Sequence, residues 1–313
     1  MEYRFLRQSD ETLSDLCYLF RIVHHRHLPE SYFKKKYDTG WTGKKYLGYI
    51  AYNEKREPVA SYAVLPCYLL YRQQKILVAQ AVDATTHPAH RKRGLFVTLA
   101  QKTHQLAKEE GVLYVFSFPN ANSYHGFTQR LHFLHPEDAV QYTIPVKTLP
   151  LIKAANKYKW FSAMYGIYFR AIMRLFFRKG GLVIPNSVTE DNVPGIEHDA
   201  DYFSHKSYEK NYRLKTGKFR IWFKLDDGIL AGDVSRFHEN DFKDFIGNVK
   251  RMCRLLGSHQ FRVSASPDTF IDRMFRGKFQ SNKAFPVTYL DLGVSKMLPP
   301  ETVKFVMADS DTF

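Results

Sequence analysis

Apolar residues recur at helical spacing from Leu13 to His24, behind Ser9 or Asp10 as a cap, and more briefly from Glu30 to Tyr37. Three segments rich in Val, Ile, Leu and Tyr follow, Tyr46 to Tyr52, Val59 to Tyr71 and Ile76 to Thr85. Their punctuation by Asn53, Pro58 and Arg72-Gln73-Gln74 predicts an antiparallel meander. Helical spacing returns with Leu95, Leu99, Leu106 and Ala107 and stops at Gly111. Val112 to Phe118 is an apolar run of strand length, Asn120 to Leu131 has the pattern of another helix, and Val140 to Val146 alternates like a closing strand. Helices and strands in this order predict an α/β fold built on a mixed, α+β type of sheet.

From Leu149 to Lys179 the pattern changes to a long helical run that mixes aromatic residues with Lys and Arg and contains no acid. Arg170, Arg174 and Arg178 fall at i, i+4 spacing and make one basic stripe. Packing between two domains with solvated arginines is the favoured expectation. Peripheral membrane contact through residues 157–179 is the competing one, and a full span is disfavoured because the arginines would sit at bilayer depth. Gly180-Gly181 through Pro194-Gly195 reads as loop. The expected organisation is a first domain over residues 1–148, a basic aromatic connector over 149–194 and a second domain over 195–313. The second domain echoes the first: a helix ending at Gly257, a strand at Phe261 to Ser264, a helix at Asp268 to Arg276 and a strand at Phe285 to Leu292. Gly257 and Phe279 are separated by the same interval as Gly111 and Phe133, the mark of a degenerate internal repeat.

What the first copy has and the second lacks is a basic glycine turn. Arg91-Lys92-Arg93-Gly94-Leu95-Phe96 joins the strand ending near Thr85 to the helix that follows, so these residues sit where unpaired backbone N–H groups collect. Helix dipole and turn amides together favour a negative ligand there. A formal charge of +15 agrees with polyanionic partners in general, without choosing among nucleic acid, phosphorylated small molecules and anionic membranes. Cys17, Cys67 and Cys253 are far apart and form no CxxC, which suggests neither a disulfide framework nor a thiolate metal site. His24, His25 and His27 have no carboxylate or Cys partner at useful spacing, and no metal is expected. Charges at Glu2, Arg4 and Arg7 interrupt the place of a secretory apolar core, and the chain is expected to be cytoplasmic, with peripheral membrane association as the variant.

Strand, basic glycine turn, helix, strand and an Asn-led helix ending at Leu131-His132-Phe133 is an order that resembles the GNAT superfamily of acyl-CoA-dependent N-acetyltransferases. Arg91 to Phe96 resembles the pyrophosphate turn of that family, with Phe96 in place of its small last residue. Thr86-His87-Pro88 resembles the segment before it, and Asn120 to Ser123 resembles the Asn-x-x-Ala helix start. The whole chain looks like a tandem arrangement with a degenerate C-terminal copy. The resemblance implies acetyl-CoA as cosubstrate, held by Ala84, Thr85 and Thr86 along the pantetheine and by Arg91, Lys92, Arg93, Gly94, Leu95 and Phe96 at the diphosphate. Asn120 and Ser123 either bond the pantetheine or cap their helix. Asp83 matches a strand carboxylate of the family and is the expected base, against an even alternative as a structural residue at a strand end. Phe127 stands where the family carries a Tyr, which leaves Tyr124 as the substitute acid. A further carboxylate from Asp309, Asp311 or the Phe313 terminus is a lesser expectation.

The implied activity is direct transfer of an acetyl group to the amine of a small molecule, an amino sugar being the preferred class. A non-catalytic acyl-CoA-binding or membrane-associated scaffold is the alternative. Nucleic acid is the least favoured partner, because no recognised motif carries it and the basic residues of the connector form no groove. Oligomeric state is not legible.

Overall fold

The computed structural model of the chain describes residues 2–177, 183–294, 299 and 302–313. It divides into two compact units that are discontinuous in sequence, where contiguous domains are expected. Unit 1 is Met1–Glu137 with Ser204–Tyr208 and Phe285–Thr302, and unit 2 is Asp138–Phe203 with Glu209–Ala284 and Val303–Phe313.

Unit 1 begins with β1 (Arg4–Arg7), α1 (Leu13–His24), α2 (Glu30–Tyr37), β2 (Leu47–Tyr52), β3 (Pro58–Tyr71) and β4 (Gln74–Thr86). It continues through α3 (Leu95–Glu109), β5 (Tyr114–Ser117) and α4 (Ala121–His125), which runs into a π-helical turn at Gly126–Arg130. Strands β1 to β4 are antiparallel neighbours, which confirms the meander, and β4 meets β5 in parallel. Side-chain alternation along β3 builds the two layers. Ala63 and Leu65 join Leu16, Leu19, Phe20 and Phe33 of the first two helices, whereas Tyr62 and Val64 join Leu95, Leu99 and Ala107 of α3. Strand β5 gains its second neighbour from far along the chain: Val115 and Phe116 pair with Leu290 and Tyr289 of β12 (Gln280–Asp291). That late strand is why a boundary drawn along the sequence does not coincide with the unit.

Unit 2 contains most of β6 (Leu134–Pro145), then α5 (Leu151–Lys157), α6 (Lys159–Phe176), β7 (Gly195–Ile196) and the first four residues of α7 (Ala200–His205). These are followed by β8 (Tyr212–Thr216), β9 (Phe219–Asp226), β10 (Gly228–Val234), α8 (Phe242–Leu256), β11 (Gln260–Ala265) and α9 (Phe270–Phe275). The long helix expected from Leu149 is broken at Tyr158, whose backbone is extended (φ −115°, ψ 109°), and the expected positions Arg178, Gly180 and Gly181 lie outside the described residues. Strands β8, β9 and β10 form an antiparallel set, and β10 runs parallel to β11, repeating the relation of β4 to β5.

The tail of the chain lies on that second parallel pair. Val306 bridges Ala265 at the end of β11, and Ser266 donates its N–H to the Phe305 carbonyl at 2.8 Å. The Phe313 ring covers Gly232 so closely that a Cβ there would fall 2.3 Å from it. Parallel pairing of β10 with β11 stops at Ala231 and Val263, and the tail takes up the opening beyond.

Candidate active site

The corresponding opening in unit 1 is built by two strands that part. Pairing of β4 with β5 is confined to Ala79 with Val115 and Gln80 with Phe116. Strand β5 ends at Ser117, while β4 continues six residues beyond Gln80 to Thr86, held on its other edge by Ser61 against Thr85 and Ala60 against Thr86. Between Val82 and Thr85 the register slips, so that Asp83 and Ala84 together face the single residue Tyr62. This is a β-bulge, and Asp83 within it takes a left-handed backbone conformation (φ 52°).

Strand β4 delivers the chain to the basic turn. A 3-10 turn at Pro88–His90 precedes it, Lys92 and Gly94 both have positive φ (62° and 76°), and α3 starts at Leu95. The first bond of the helical ladder is Thr98 N–H to the Gly94 carbonyl, so the amides of Leu95, Phe96 and Val97 precede the ladder. Arg91, Lys92, Arg93 and Gly94 are all exposed. Arg91 Nε reaches the Thr86 carbonyl at 3.4 Å, and Arg93 reaches the Tyr3 hydroxyl, itself 3.0 Å from His90 Nδ1. Slight burial, with the cationic Arg93 and neighbouring His87, holds His90 below the ordinary histidine value, as a positive local field demands. Phe96 does not cover the turn: its ring packs edge-on to Tyr62 and Phe127.

Asp83 is not a free carboxylate. Lys36 Nζ of α2 lies 2.9 Å from one oxygen and the Tyr37 hydroxyl donates to the other at 2.5 Å, with only 3% and 8% of the Lys36 and Asp83 side chains exposed. Asn120 Oδ1 accepts the amides of Asn122 and Ser123, and Ser123 Oγ donates back to Asn120, so both are engaged in capping α4. Tyr124 bonds His135 Nδ1 at 2.8 Å, and Phe127 is buried in the core beside α3. Asp309 is buried in unit 2, where His198 Nε2 approaches it at 2.8 Å and the Val306 amide donates to it. The Phe313 side chain is buried in the same unit.

One group was passed over by sequence reasoning. His24, at the end of α1, sits 3.0 Å from Thr85 Oγ1 on the extended part of β4. Partial burial and the cations Arg26 and Arg91 hold its imidazole below the ordinary value, against the pull of Asp83. It is therefore neutral near pH 7 and able to accept a proton. The signal was its position: Leu13, Leu16 and Phe20 form the buried stripe of α1, and His24 continues it by one turn. Lys36 carried a similar signal, between Phe33 and Tyr37 on the buried side of α2.

The two units carry the same device in different states. Asp233 stands four residues beyond Ile229, which pairs with Phe261 as Ala79 pairs with Val115, and Asp83 stands four residues beyond Ala79. Each aspartate lies at a bulge. Asp233 is buried, accepts the Ser187 amide at 2.9 Å, and burial pushes its carboxyl up to about 6. No glycine turn follows β10, and Glu239, Asp241 and Asp244 stand at the entrance of α8, charges that repel an anion at a helix N-terminus.

Residues 4–133 match the model of the acetyltransferase (GNAT) domain. The sequence matches no curated protein. Similar solved structures span nearly the whole chain. A probable N-acyltransferase of Enterococcus faecalis superposes with TM-score 0.62 at 10% identity, over 94% of this chain and 74% of that one. A GCN5-related N-acetyltransferase of Kribbella flavida gives 0.60 at 10% identity over 92% and 70%. Saccharomyces cerevisiae N-myristoyltransferase with bound myristoyl-CoA gives 0.52 at 10% identity over 92% and 82%. The GNAT domain match thus covers residues 4–133, and at 10% identity the likeness to these solved structures is one of fold over both units.

Proposed function

We propose that the protein moves an acetyl group from acetyl-CoA to the amine of a small molecule, an amino sugar being the acceptor class to test first. The observation that carries this is the parting of β4 from β5 onto the exposed Arg91–Gly94 turn at the start of α3. In this reading Ala84 to Thr86 pair with the pantetheine as an added strand, and the Leu95 to Val97 amides with Arg91 and Arg93 bind the diphosphate. Lys92 contributes charge, and Asn120 and Ser123 act through the helix start they cap.

The amine nitrogen attacks the thioester carbonyl, the carbon–sulfur bond breaks, and the electron pair leaves with the thiolate. A backbone N–H at the bulge stabilises the oxyanion. We assign the proton leaving the amine to His24 in place of Asp83, since the Asp83 carboxylate already accepts from Lys36 and Tyr37. Asp83 then acts as a positioning residue, and Tyr124, backed by His135, returns a proton to the thiolate. The occupied opening of unit 2 supports a single coenzyme per chain.

The test is a CoA-release screen over amine classes, run with calorimetric titration of CoA. Turnover with one amine class and one bound coenzyme per chain is the expected result. Absence of any heat on titration would remove the reading altogether.

A further inference from the structure

Helix α6 buries one side and leaves an apolar one bare. Tyr165, Phe169 and Met173 are buried within unit 2, where the Tyr165 hydroxyl donates to the Leu256 carbonyl at 2.9 Å and that of Tyr168 to the Leu255 carbonyl at 2.6 Å. On the far side Trp160, Met164, Ile167, Ala171 and Leu175 follow one another at spacings of three and four and share one face. Trp160 is 71% exposed, Ile167 65% and Leu175 76%. This is not the scatter of single apolar residues normal on a surface, but one continuous stripe. Lys159, Arg170 and Arg174, all exposed, project along one border of the stripe, and Lys153 and Lys157 add exposed charge from the preceding helix. From Leu149 to Thr189 the sequence contains no Asp or Glu.

We propose that α6 is a docking surface for an anionic phospholipid bilayer, lying in the plane of the interface with its Trp160–Leu175 stripe among the acyl chains and its basic border against the headgroups. Charge selects this occupant. A second copy seated on the same face about a twofold axis would bring Lys159, Arg170 and Arg174 towards their own counterparts with no acid to answer them, whereas anionic headgroups answer all of them. The aromatic and aliphatic content of the stripe fits the acyl boundary, where such helices bury their apolar face about 5–10 Å deep. Among the described residues no helix is long and apolar enough to cross a membrane, so α6 lies on the surface. The inference rests on a helix outside the candidate active site and does not depend on the proposed reaction.

The experiment is vesicle flotation of the full chain with phosphatidylglycerol–phosphatidylcholine vesicles and with phosphatidylcholine alone, together with sedimentation equilibrium without lipid. Wild type is expected to float with the anionic vesicles, and Trp160 emission to shift to the blue. Trp160→Ser/Ile167→Ser/Leu175→Ser and Arg170→Glu/Arg174→Glu are each expected to lower partitioning by about tenfold or more. Thermal melting and circular dichroism matching wild type establish that these exposed changes leave the fold intact. Equal flotation of the apolar triple variant, no flotation of wild type, or a stable dimer broken by the triple variant would overturn the proposal.

Discussion

The ring of Phe96 lies where a side chain on Gly126 would have to begin: a Cβ at 126 would fall 2.9 Å from Phe96 Cε1. An aromatic residue at the end of the turn is thus accommodated by a missing side chain thirty residues on, at the head of the π-helical turn, and the ring stays off the exposed amides. Gly126 has ordinary helical φ (−63°), so its need is for space and not for backbone freedom. Gly126→Ala should destabilise unit 1 by about 1–3 kcal/mol through overpacking. In a Phe96→Ala background the same change should cost far less. Urea unfolding of the four proteins in a double-mutant cycle measures the difference.

At Gly94 the requirement is the reverse. A Cβ there meets nothing within 4 Å, but φ is +76°. Gly94→Ala should lower stability by about 1 kcal/mol from backbone strain. Displacement of the turn should weaken CoA about tenfold, which is another ~1.4 kcal/mol. Calorimetry beside thermal melting separates the two effects, and an unchanged affinity would argue against the turn as the diphosphate site.

Lys36 and Asp83 form a buried pair, and breaking it from one side leaves a charge without a partner. Lys36→Met should cost about 3–5 kcal/mol, and adding Asp83→Asn should recover most of that loss. Chemical denaturation of single and double variants tests the coupling.

The proposed division of labour between His24 and Asp83 has a kinetic signature. His24→Gln should reduce kcat by about 10²–10⁴-fold with CoA affinity kept. It should also abolish the limb of the pH–rate profile that reports a group titrating below the ordinary histidine value. Asp83→Asn should lose less activity and keep that limb. If Asp83→Asn removes the limb and His24→Gln preserves it, the base is Asp83 after all.

Two buried histidines predict acid sensitivity in unit 1. Burial lowers His104, bonded to Tyr62 at 2.9 Å, from the ordinary 6.5 to about 4. His205, beside the Lys36 carbonyl, falls to about 4 chiefly for the same reason. Both are neutral when folded, whereas the unfolded chain takes up the protons at higher pH. Their contribution is complete above pH 6.5 and is lost as pH falls through about 4, at about 3 kcal/mol for each. Unfolding free energies of wild type and His104→Gln between pH 7 and 4 should converge as pH falls.

Much of unit 1 was legible because each signal was local. The Leu13–His24 and Glu30–Tyr37 helices stand where their apolar spacing placed them, and the meander follows from its turn residues. The bend at Arg91–Gly94 was legible as a turn because a glycine between a strand and a helix marks the positive φ that starts α3. The illegible parts depend on distant residues. Strand β1 has four residues with arginine at both ends, too short for a pattern, and exists because β2 offers an edge. Nothing in Phe285–Asp291 announces that it completes the sheet beside β5 rather than serving the second copy. The pairing of Asp83 with Lys36 required two elements to meet, and it changed the candidate base.

The partnership of β5 with β12 sets an order of events during synthesis. A sheet begun at residue 4 receives the strand beside β5 only when residue 291 has left the ribosome, and until then β5 presents an uncovered edge to its surroundings. A fragment cut at residue 148 freezes the molecule at that stage, and self-association through β5 is the fate expected of it.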